Sequence, residues 1–337
     1  MAAKRALICG VSGQDGALLA NFLLEKGYEV YGTSRDAELG QFANLTKLGI
    51  RERVHVRSMS MTDFRGVLQT LVEVEPDEIY NLAGQSSVGL SFQQPVETLE
   101  SIAHATLTLL EAVRFLRKPL RLYNAASGEC FGETPSSAPA TEQSQFKPRS
   151  PYGVAKAAAF WEVANYREAY GVFACSGILF NHESTLRPAR FVTQKVVQAA
   201  VRIAAGEPLR LKLGQLSVIR DWGWAPEYVD AMWRMLQQDV ARDYVIATGR
   251  SRRLEEFIAL VFCQVNLDWR DHIDIDPTLF RASDISENYA DPSLARRELE
   301  WSAELSLEDI IMRLVTAERT AGNPAPAKSQ TASSKEQ

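Results

Sequence analysis

Short apolar runs alternate with segments of helical periodicity up to residue 180. Residues 15–27 place leucine and phenylalanine side chains on one face and end at Gly27, which is typical of an amphipathic helix with a glycine C-cap. Helices are also predicted at 97–117 and 151–170. The apolar runs between these segments predict strands at 5–10, 29–34, 53–58, 77–83, 120–126 and 173–180.

Strands separated by helices predict an α/β fold with a Rossmann-like, doubly wound parallel sheet, because right-handed crossovers place helices on both faces. We expect residues 1–182 to form a dinucleotide-binding domain that also holds the catalytic residues. After residue 182 the alternation loosens, although helices are predicted at 191–205 and 226–238 and a strand at 243–248.

Two segments depart from the alternating pattern. Residues 183–321 carry arginines and tryptophans in their loops, and we expect a smaller C-terminal α/β region that covers the open edge of the sheet and mainly binds the substrate. Residues 322–337 are rich in Pro, Ala, Ser and Lys and lack an apolar period, which predicts a disordered tail.

The composition excludes several classes of protein. The chain is 46% hydrophobic with a formal net charge of -5, so no basic field for nucleic acid or a membrane surface is expected. The N-terminus has only a short apolar run before its glycines, and we expect neither a signal peptide nor a spanning segment. The four cysteines are dispersed and form no CxxC, which predicts reduced thiols and a cytoplasmic protein. The four histidines do not cluster with them, so no metal site is expected.

A glycine-rich turn, GVSGQDG, directly follows the first predicted strand and opens a helix. Gly10, Gly13 and Gly16 have the GxxGxxG spacing, which permits a tight turn and lets the backbone approach a phosphate at the helix N-terminus. The alternative is an ordinary strand-to-helix turn. The position between strand and helix favours dinucleotide binding.

Arg35 and Asp36 follow the second predicted strand, where the cofactor ribose is recognised in this fold. An arginine there would pair with a 2′-phosphate, whereas an acid would bind the free ribose hydroxyls. Arg35 favours NADP, and Asp36 keeps NAD open as the alternative cofactor.

Tyr152 and Lys156 are four residues apart at the start of a predicted helix, so their side chains share one face. An ammonium beside a phenol lowers the pKa of the phenol, whose phenolate can take a proton from a sugar hydroxyl. Ser127 ends the fifth predicted strand, where a parallel sheet delivers side chains to the ligand crevice, and can hydrogen-bond the same sugar oxygen.

GxxGxxG, the strand-end serine and YxxxK together resemble the extended short-chain dehydrogenase/reductases. Over about residues 5–320 the chain is very similar to GDP-mannose 4,6-dehydratases. The segments that show this similarity are GVSGQDG, PDEIYNLAGQSSV, FKPRSPYGVAK, NYREAYGVFACSGILFNHES and RDWGWAPEYVDAMWRMLQQ.

This resemblance implies a role for Glu129 in NAASGECFG. In such enzymes Tyr152 would take the C4 hydroxyl proton while NADP takes the C4 hydride, and Ser127 would bond the C4 oxygen. A carboxylate, here Glu129, would remove the C5 proton before the C6 hydroxyl leaves as water, and the hydride would return to C6. The alternative for Glu129 is a structural carboxylate held near a backbone turn.

The resemblance also implies binding residues. Those expected at the cofactor are Gly10, Gly13, Gln14, Asp15, Gly16, Arg35, Ser60, Met61, Leu82, Ala83, Gln85, Tyr123, Tyr152, Lys156 and His182. Those expected at the GDP-sugar are Ser86, Ser127, Glu129, Asn181, Lys195, Arg220, Arg281 and Asp284. A homodimer or homotetramer is expected, with no nucleic-acid or membrane partner.

Four positions depart from the family pattern. Asp36 replaces the second of two arginines, and Ser60 replaces an aspartate that faces adenine. Ser87 replaces a histidine, and Gly128 replaces a residue with a side chain. Small residues near the sugar would make room for a GDP-manno-heptose as the substrate.

Two further functions stay open on the same fold. One is a sugar-nucleotide 4-keto reductase or epimerase, against which Glu129 argues because neither reaction needs a base at C5. The second is a non-catalytic dinucleotide sensor, which has no need of Ser127, Tyr152 and Lys156.

Overall fold

The computed structural model of the chain describes residues 3–322, and the part of the predicted tail beyond residue 322 lies outside them. The strands are β1 Arg5–Cys9, β2 Glu29–Ser34, β3 His55–Ser58, β4 Glu78–Asn81, β5 Arg121–Ser127, β6 Phe173–Leu179, β7 Asn181–Glu183, β8 Leu211–Leu213, β9 Ile219–Trp224, β10 Tyr244–Ile246, β11 Ser251–Arg253 and β12 Ile273–Ile275. The helices are α1 Gln14–Glu25, α2 Ala43–Lys47, α3 Phe64–Val74, α4 Val88–Gln93, α5 Pro95–Leu99, α6 Ala105–Leu116, α7 Pro151–Tyr170, α8 Val192–Ala204, α9 Ala225–Gln237, α10 Leu254–Cys263, α11 Ser293–Glu298 and α12 Leu307–Gly322. A π-helical turn, Glu100–His104, joins α5 to α6.

The main sheet has seven parallel strands in the order β10-β6-β5-β4-β1-β2-β3. All six strands predicted up to residue 180 belong to it, and the predicted doubly wound fold is confirmed. The strand order reverses at β1, which lies between β2 and β4. In such sheets a ligand crevice forms outside the carboxyl ends of the strands at this switch point.

Two elements from the second half of the chain return to the main sheet. The strand predicted at 243–248 pairs in parallel with β6 as the seventh strand. Helix α9 packs against α1, and its Tyr228, Met232 and Met235 lie in the core beneath β1. The chain therefore adds to the dinucleotide-binding sheet beyond the boundary predicted at residue 182.

A second core holds the rest of the C-terminal half. Helices α8, α10 and α12 bury Val197, Phe257, Phe262 and Ile310 against β9. Two small sheets, β11-β9-β7 and β12-β8, flank this core. They direct the loops at residues 212–215 and 279–286 toward the carboxyl ends of the main strands.

Helix α7 has the bounds that the sequence predicts. The Ser150 hydroxyl accepts a hydrogen bond from the Gly153 N–H at 3.0 Å, and Pro151 occupies the first turn. Gly171 ends the helix in the left-handed conformation with φ 65°. These local signals place Tyr152 and Lys156 on the first turns of α7, next to the carboxyl end of β5.

No helix within residues 3–322 combines the length and the hydropathy required to cross a membrane.

Candidate active site

A cleft of about 570 Å³ lies where the carboxyl ends of the main strands face the two C-terminal loops. It brings together residues that the sequence places far apart along the chain. The predicted site residues that line it are Asp15, Leu82, Ala83, Gln85, Ser86, Ser127, Glu129, Tyr152, Lys156, Asn181, His182, Lys195, Arg220, Arg281 and Asp284.

Several predicted cofactor residues lie outside this cleft, and two have other roles. Tyr123 is fully buried in the sheet core, and a Cβ at Gly177 would come within 2.4 Å of its hydroxyl oxygen. Tyr123 therefore packs inside the sheet and does not line the cleft, and its contact with the cofactor stays a prediction. The Gln14 side chain accepts from the Ser184 hydroxyl at 2.8 Å and donates to the His182 carbonyl at 3.2 Å, which ties α1 to β7. The remaining predicted residues outside the cleft are Gly10, Gly13, Gly16, Arg35, Ser60 and Met61.

The glycine turn has the shape of a phosphate cradle. Gly10 has φ +87°, and a Cβ there would lie 2.9 Å from the Leu82 carbonyl oxygen. A Cβ at Gly16 would lie 2.3 Å from the Gly10 carbonyl oxygen, so no side chain fits at either position. A Cβ at Gly13 would meet only the Gly10 carbonyl oxygen, at 3.4 Å. The turn is thus closed toward the protein and open at the N-terminus of α1, which fits the phosphates of a dinucleotide.

Asp36 is engaged by its own backbone. Its Oδ1 accepts hydrogen bonds from the Glu38 N–H at 2.9 Å and the Leu39 N–H at 2.8 Å. Arg35 is exposed and has no hydrogen-bond or ion-pair partner within residues 3–322. The guanidinium is therefore the free charged group after β2, while the carboxylate stabilises the turn.

Ser127, Tyr152 and Lys156 converge at the end of β5. The Lys156 ammonium donates to the Ala125 carbonyl at 2.7 Å and lies 5.9 Å from the centre of the Tyr152 ring. The Ser127 hydroxyl accepts from the Glu129 N–H at 3.2 Å. Strand β5 and helix α7 thus present a phenol, a hydroxyl and an ammonium to one wall of the cleft.

The sequence predicts that Lys156 lowers the pKa of Tyr152. In the structure, the largest influence on the pKa of Tyr152 is burial. Burial raises the pKa of Tyr152, and hydrogen bonding by the neighbouring Ser127 hydroxyl opposes the rise. Burial lowers the pKa of Lys156 to about 8. In the protein alone, desolvation of the phenol outweighs the interactions that favour the phenolate, and an effect of Lys156 on the pKa of Tyr152 stays a prediction.

Glu129 carries a carboxylate without a hydrogen-bond donor in the described part of the chain, although its backbone N–H bonds Ser127. Burial raises the pKa of Glu129, while Arg220 and Arg281 oppose the rise. A structural carboxylate would accept backbone hydrogen bonds, as Asp36 does. An unbonded carboxylate with a raised pKa in a cleft is suited to proton transfer.

Two glycines set the position of Glu129. A Cβ at Gly153 would lie 2.8 Å from the Glu129 carbonyl oxygen, so glycine lets α7 pack closely on this turn. A Cβ at Gly128 would lie 3.0 Å from the Phe180 ring. Phe180 occupies the direction in which a side chain at 128 would extend, so Gly128 alone does not widen the cleft, contrary to the expected extra room.

A basic cluster faces Glu129 across the cleft. The guanidinium groups of Arg220 and Arg281 both donate to Asp284 Oδ1, each at 3.0 Å. Arg220 is buried on β9, which lowers its pKa. Lys195 is exposed on α8 and has no ion-pair partner within residues 3–322. Two phosphates in a cleft require basic partners, and these groups have the charge that such binding needs.

Asp15 and His182 form an ion pair that the sequence does not reveal. Asp15 Oδ2 and His182 Nε2 are 2.9 Å apart, and His182 Nδ1 lies 2.7 Å from the Phe180 carbonyl oxygen. Burial opposes ionisation of Asp15, but the charge and hydrogen bond of His182 outweigh it and hold the pKa of Asp15 at about 2. Burial likewise opposes protonation of His182, yet Asp15 raises its pKa.

Sequence reasoning missed further residues of the cleft, some between β7 and α8 and others after α8. Arg187 Nε lies 3.5 Å from Glu183 Oε2, and Arg190 donates to the Ser86 hydroxyl at 3.3 Å. The run STLRPAR follows a strand end and contains two arginines, which is a signal that could have identified both. The other missed residues include Lys212, Gln215 and Phe280.

Known proteins resemble this chain over most of its length. The family model described as GDP-mannose 4,6 dehydratase matches residues 7–314. GDP-mannose 4,6 dehydratase 1 of Arabidopsis thaliana is 41% identical over 322 residues, which cover 93% of this chain and 89% of that protein. GDP-mannose 4,6-dehydratase of Vibrio cholerae is 40% identical over 351 residues, which cover 94% and 93%.

A solved structure shows the same fold. The dTDP-glucose 4,6-dehydratase of Bacillus anthracis, solved in complex with NAD, has a TM-score of 0.81 at 18% identity. The match covers 95% of this chain and 97% of that one. Since the family model spans most of the chain and the relatives above are about 40% identical over nearly their whole length, the chain belongs to the GDP-mannose 4,6-dehydratase family.

Proposed function

We propose that the chain catalyses NADP-dependent 4,6-dehydration of GDP-mannose to GDP-4-keto-6-deoxymannose. The observation that supports this most directly is the free Glu129 carboxylate beside Ser127, Tyr152 and Lys156. A reductase or epimerase acting at C4 alone needs no base at C5, whereas a dehydratase does.

The first step is oxidation at C4. Tyr152 accepts the proton of the C4 hydroxyl, Ser127 hydrogen-bonds the C4 oxygen, and the Lys156 ammonium stabilises the phenolate. A nicotinamide nucleotide held at the glycine turn would supply the acceptor for the C4 hydride and the source of the hydride that returns. The resulting ketone makes the proton on C5 acidic.

The second step is loss of water. Glu129 removes the C5 proton, and the C5–H electron pair forms the C5=C6 double bond as the C6–O bond breaks. The departing hydroxide takes a proton from Glu129 and leaves as water, because Gly128 has no side chain to act as a separate acid. Hydride would then add to C6, and C5 would take up one proton, which balances the proton that Tyr152 took from the C4 hydroxyl, so the net change is the loss of one water.

We further propose NADP as the cofactor. The support is the contrast between Arg35, which is free and exposed, and Asp36, whose carboxylate is held by two backbone N–H groups. The glycine turn of Gly10, Gly13 and Gly16 would hold the pyrophosphate at the N-terminus of α1. The GDP diphosphate would lie against Lys195, Arg220 and Arg281.

Product mass tests the function. Incubation of the purified protein with GDP-mannose and NADP, without added reductant, should give a product lighter by one water. A product of unchanged mass would indicate an epimerase, and no reaction with tightly bound cofactor would indicate a sensor. Parallel incubation with GDP-manno-heptose tests the alternative substrate, which the ring of Phe180 next to Gly128 does not favour.

We also propose a homodimer that works in the cytoplasm. Apolar side chains on the adjoining helices α5, α6 and α7 are exposed, namely Val96, Leu99, Leu107, Val154 and Trp161. Exposed apolar stripes of this kind mark association surfaces. Trp161→Glu should shift the mass in solution toward a monomer, as measured by light scattering, whereas Ile275→Glu, at an exposed apolar residue on β12, should not.

A further inference from the structure

Asp15 pairs with a histidine of the cleft. The residue lies in the first turn of α1, and its Oδ2 pairs with His182 Nε2 at 2.9 Å. The Asp15 side chain is half-buried, whereas that of His182 is buried. The carboxylate thus joins the start of α1 to β7.

The two contacts of the His182 ring are those that an imidazolium makes. Its Nδ1 faces the Phe180 carbonyl oxygen at 2.7 Å, which only accepts, and its Nε2 faces the Asp15 carboxylate. A neutral imidazole has one N–H and cannot donate to both. Because the pKa of Asp15 is about 2, its carboxylate is ionised at neutral pH. The pair then carries one positive and one negative charge.

The groups around His182 agree with this charge state. On α9, the Tyr228 ring stacks on His182 with centroids 4.6 Å apart, which favours a cation. On α1, the Gln14 amide donates to the His182 carbonyl and to Asp15. After β7, Arg187 opposes protonation, and its guanidinium is near the buried Glu183 carboxylate.

The position of Asp15 relates the ion pair to anion binding at the glycine turn. A carboxylate at the N-terminus of α1 stabilises the helix, but it also repels an anion bound at the Gly10–Gly16 turn. The His182 imidazolium cancels that repulsion.

We propose that Asp15 is a positioning residue that keeps His182 protonated, so that the negative charge at the N-terminus of α1 is balanced where an anionic dinucleotide binds. This inference rests on the proposed function and adds to it the charge balance between Asp15 and His182.

The affinity for the dinucleotide should then depend on pH. The charge on His182 is present below its raised pKa and is lost as pH rises through it, which leaves the Asp15 carboxylate uncompensated. Affinity for NADPH should therefore fall at alkaline pH.

The first test is histidine NMR of the whole protein, which needs no turnover. The His182 signal is identified by its loss in His182→Asn, and it should titrate at higher pH than the other three histidines. Asp15→Asn should lower its midpoint by about 1–3 pH units. Asp309→Asn, which removes a carboxylate from the first turn of α12, is the matched control and should leave it unchanged.

The second test is NADPH affinity by fluorescence, measured at about pH 6, below the ordinary pKa of histidine. His182→Asn leaves the Asp15 carboxylate uncompensated and should weaken binding by roughly 10- to 100-fold. Adding Asp15→Asn to His182→Asn should restore part of that affinity, because the repelling charge is removed. A merely structural role for Asp15 predicts a further loss in the double variant.

Two results would overturn the inference. A His182 midpoint no higher than the other histidines, or a double variant weaker than His182→Asn, overturns the inference. Circular dichroism of each variant shows whether it is folded, and an unfolded Asp15→Asn leaves wild-type NMR to decide. If the wild-type protein binds neither NADPH nor NADH at any pH, the proposed function fails and not only this inference.

Discussion

The Ser127 hydroxyl accepts a hydrogen bond from the Glu129 N–H at 3.2 Å, so a single turn orients both side chains. The bond uses the Glu129 backbone, so the Glu129 carboxylate is left without a hydrogen-bond donor within residues 3–322. The hydroxyl proposed to bind the C4 oxygen and the carboxylate proposed to take the C5 proton thus lie two residues apart at the end of β5.

Glu129→Gln should separate oxidation from elimination. The amide keeps the volume of the side chain but accepts no proton, and base catalysis is typically worth roughly 10²–10⁴-fold. In a single turnover, the absorbance of reduced nicotinamide should rise while product mass shows no loss of water.

The matched control for Glu129→Gln is Glu142→Gln. Burial also raises the pKa of Glu142, but its carboxylate accepts from the Val245 N–H at 2.8 Å and lies outside the cleft. This control should retain dehydration. Dehydration by Glu129→Gln near the wild-type rate would show that another group is the C5 base.

Tyr152→Phe should abolish turnover and leave cofactor binding intact, because only the proton acceptor is removed. The measurements are product formation by mass and NADPH affinity by fluorescence. Tyr170→Phe, at an exposed tyrosine at the other end of α7, is the control. Activity of Tyr152→Phe within about tenfold of wild type would contradict the assignment.

Arg35→Ala should reduce the preference for NADP over NAD. Loss of a charge-assisted pair with the 2′-phosphate should cost roughly 1.5–3 kcal/mol in NADP affinity and leave NAD affinity nearly unchanged. Calorimetry with both nucleotides measures the two constants, and Arg53→Ala, on the neighbouring turn before β3, serves as the control. Equal wild-type affinity for NADP and NAD would refute the role of Arg35.

Gly16→Ala and Gly13→Ala should behave differently. At Gly16 the new Cβ would approach the Gly10 carbonyl oxygen to 2.3 Å, so unfolding should become easier by about 1–3 kcal/mol. At Gly13 the nearest atom is 3.4 Å away, so thermal stability should be kept while NADPH affinity falls, because the methyl group would project into the phosphate cradle. Thermal denaturation with and without NADPH distinguishes the two, and equal losses of stability would contradict this account.

Local signals were sufficient for much of the fold. The bounds of α7 follow from Ser150, Pro151 and Gly171, because capping and chain termination involve only neighbouring residues. The strands of the main sheet follow from apolar runs, since parallel strands are buried on both faces. The spacing of Tyr152 and Lys156 likewise predicts a shared helix face without knowledge of the fold.

The tertiary structure alone decided relationships between distant residues. Asp15 and His182 are 167 positions apart, and the switch of strand order brings them to 2.9 Å. Strands such as β7 and β8 have only three residues, too few for a periodic signal, and pairing with other strands defines them.

By itself, the sequence determined the local elements and the types of reactive group, because these depend on nearby residues. Burial and long-range packing determined the directions in which the pKa values of Tyr152, Glu129 and His182 shift, because desolvation depends on the whole fold.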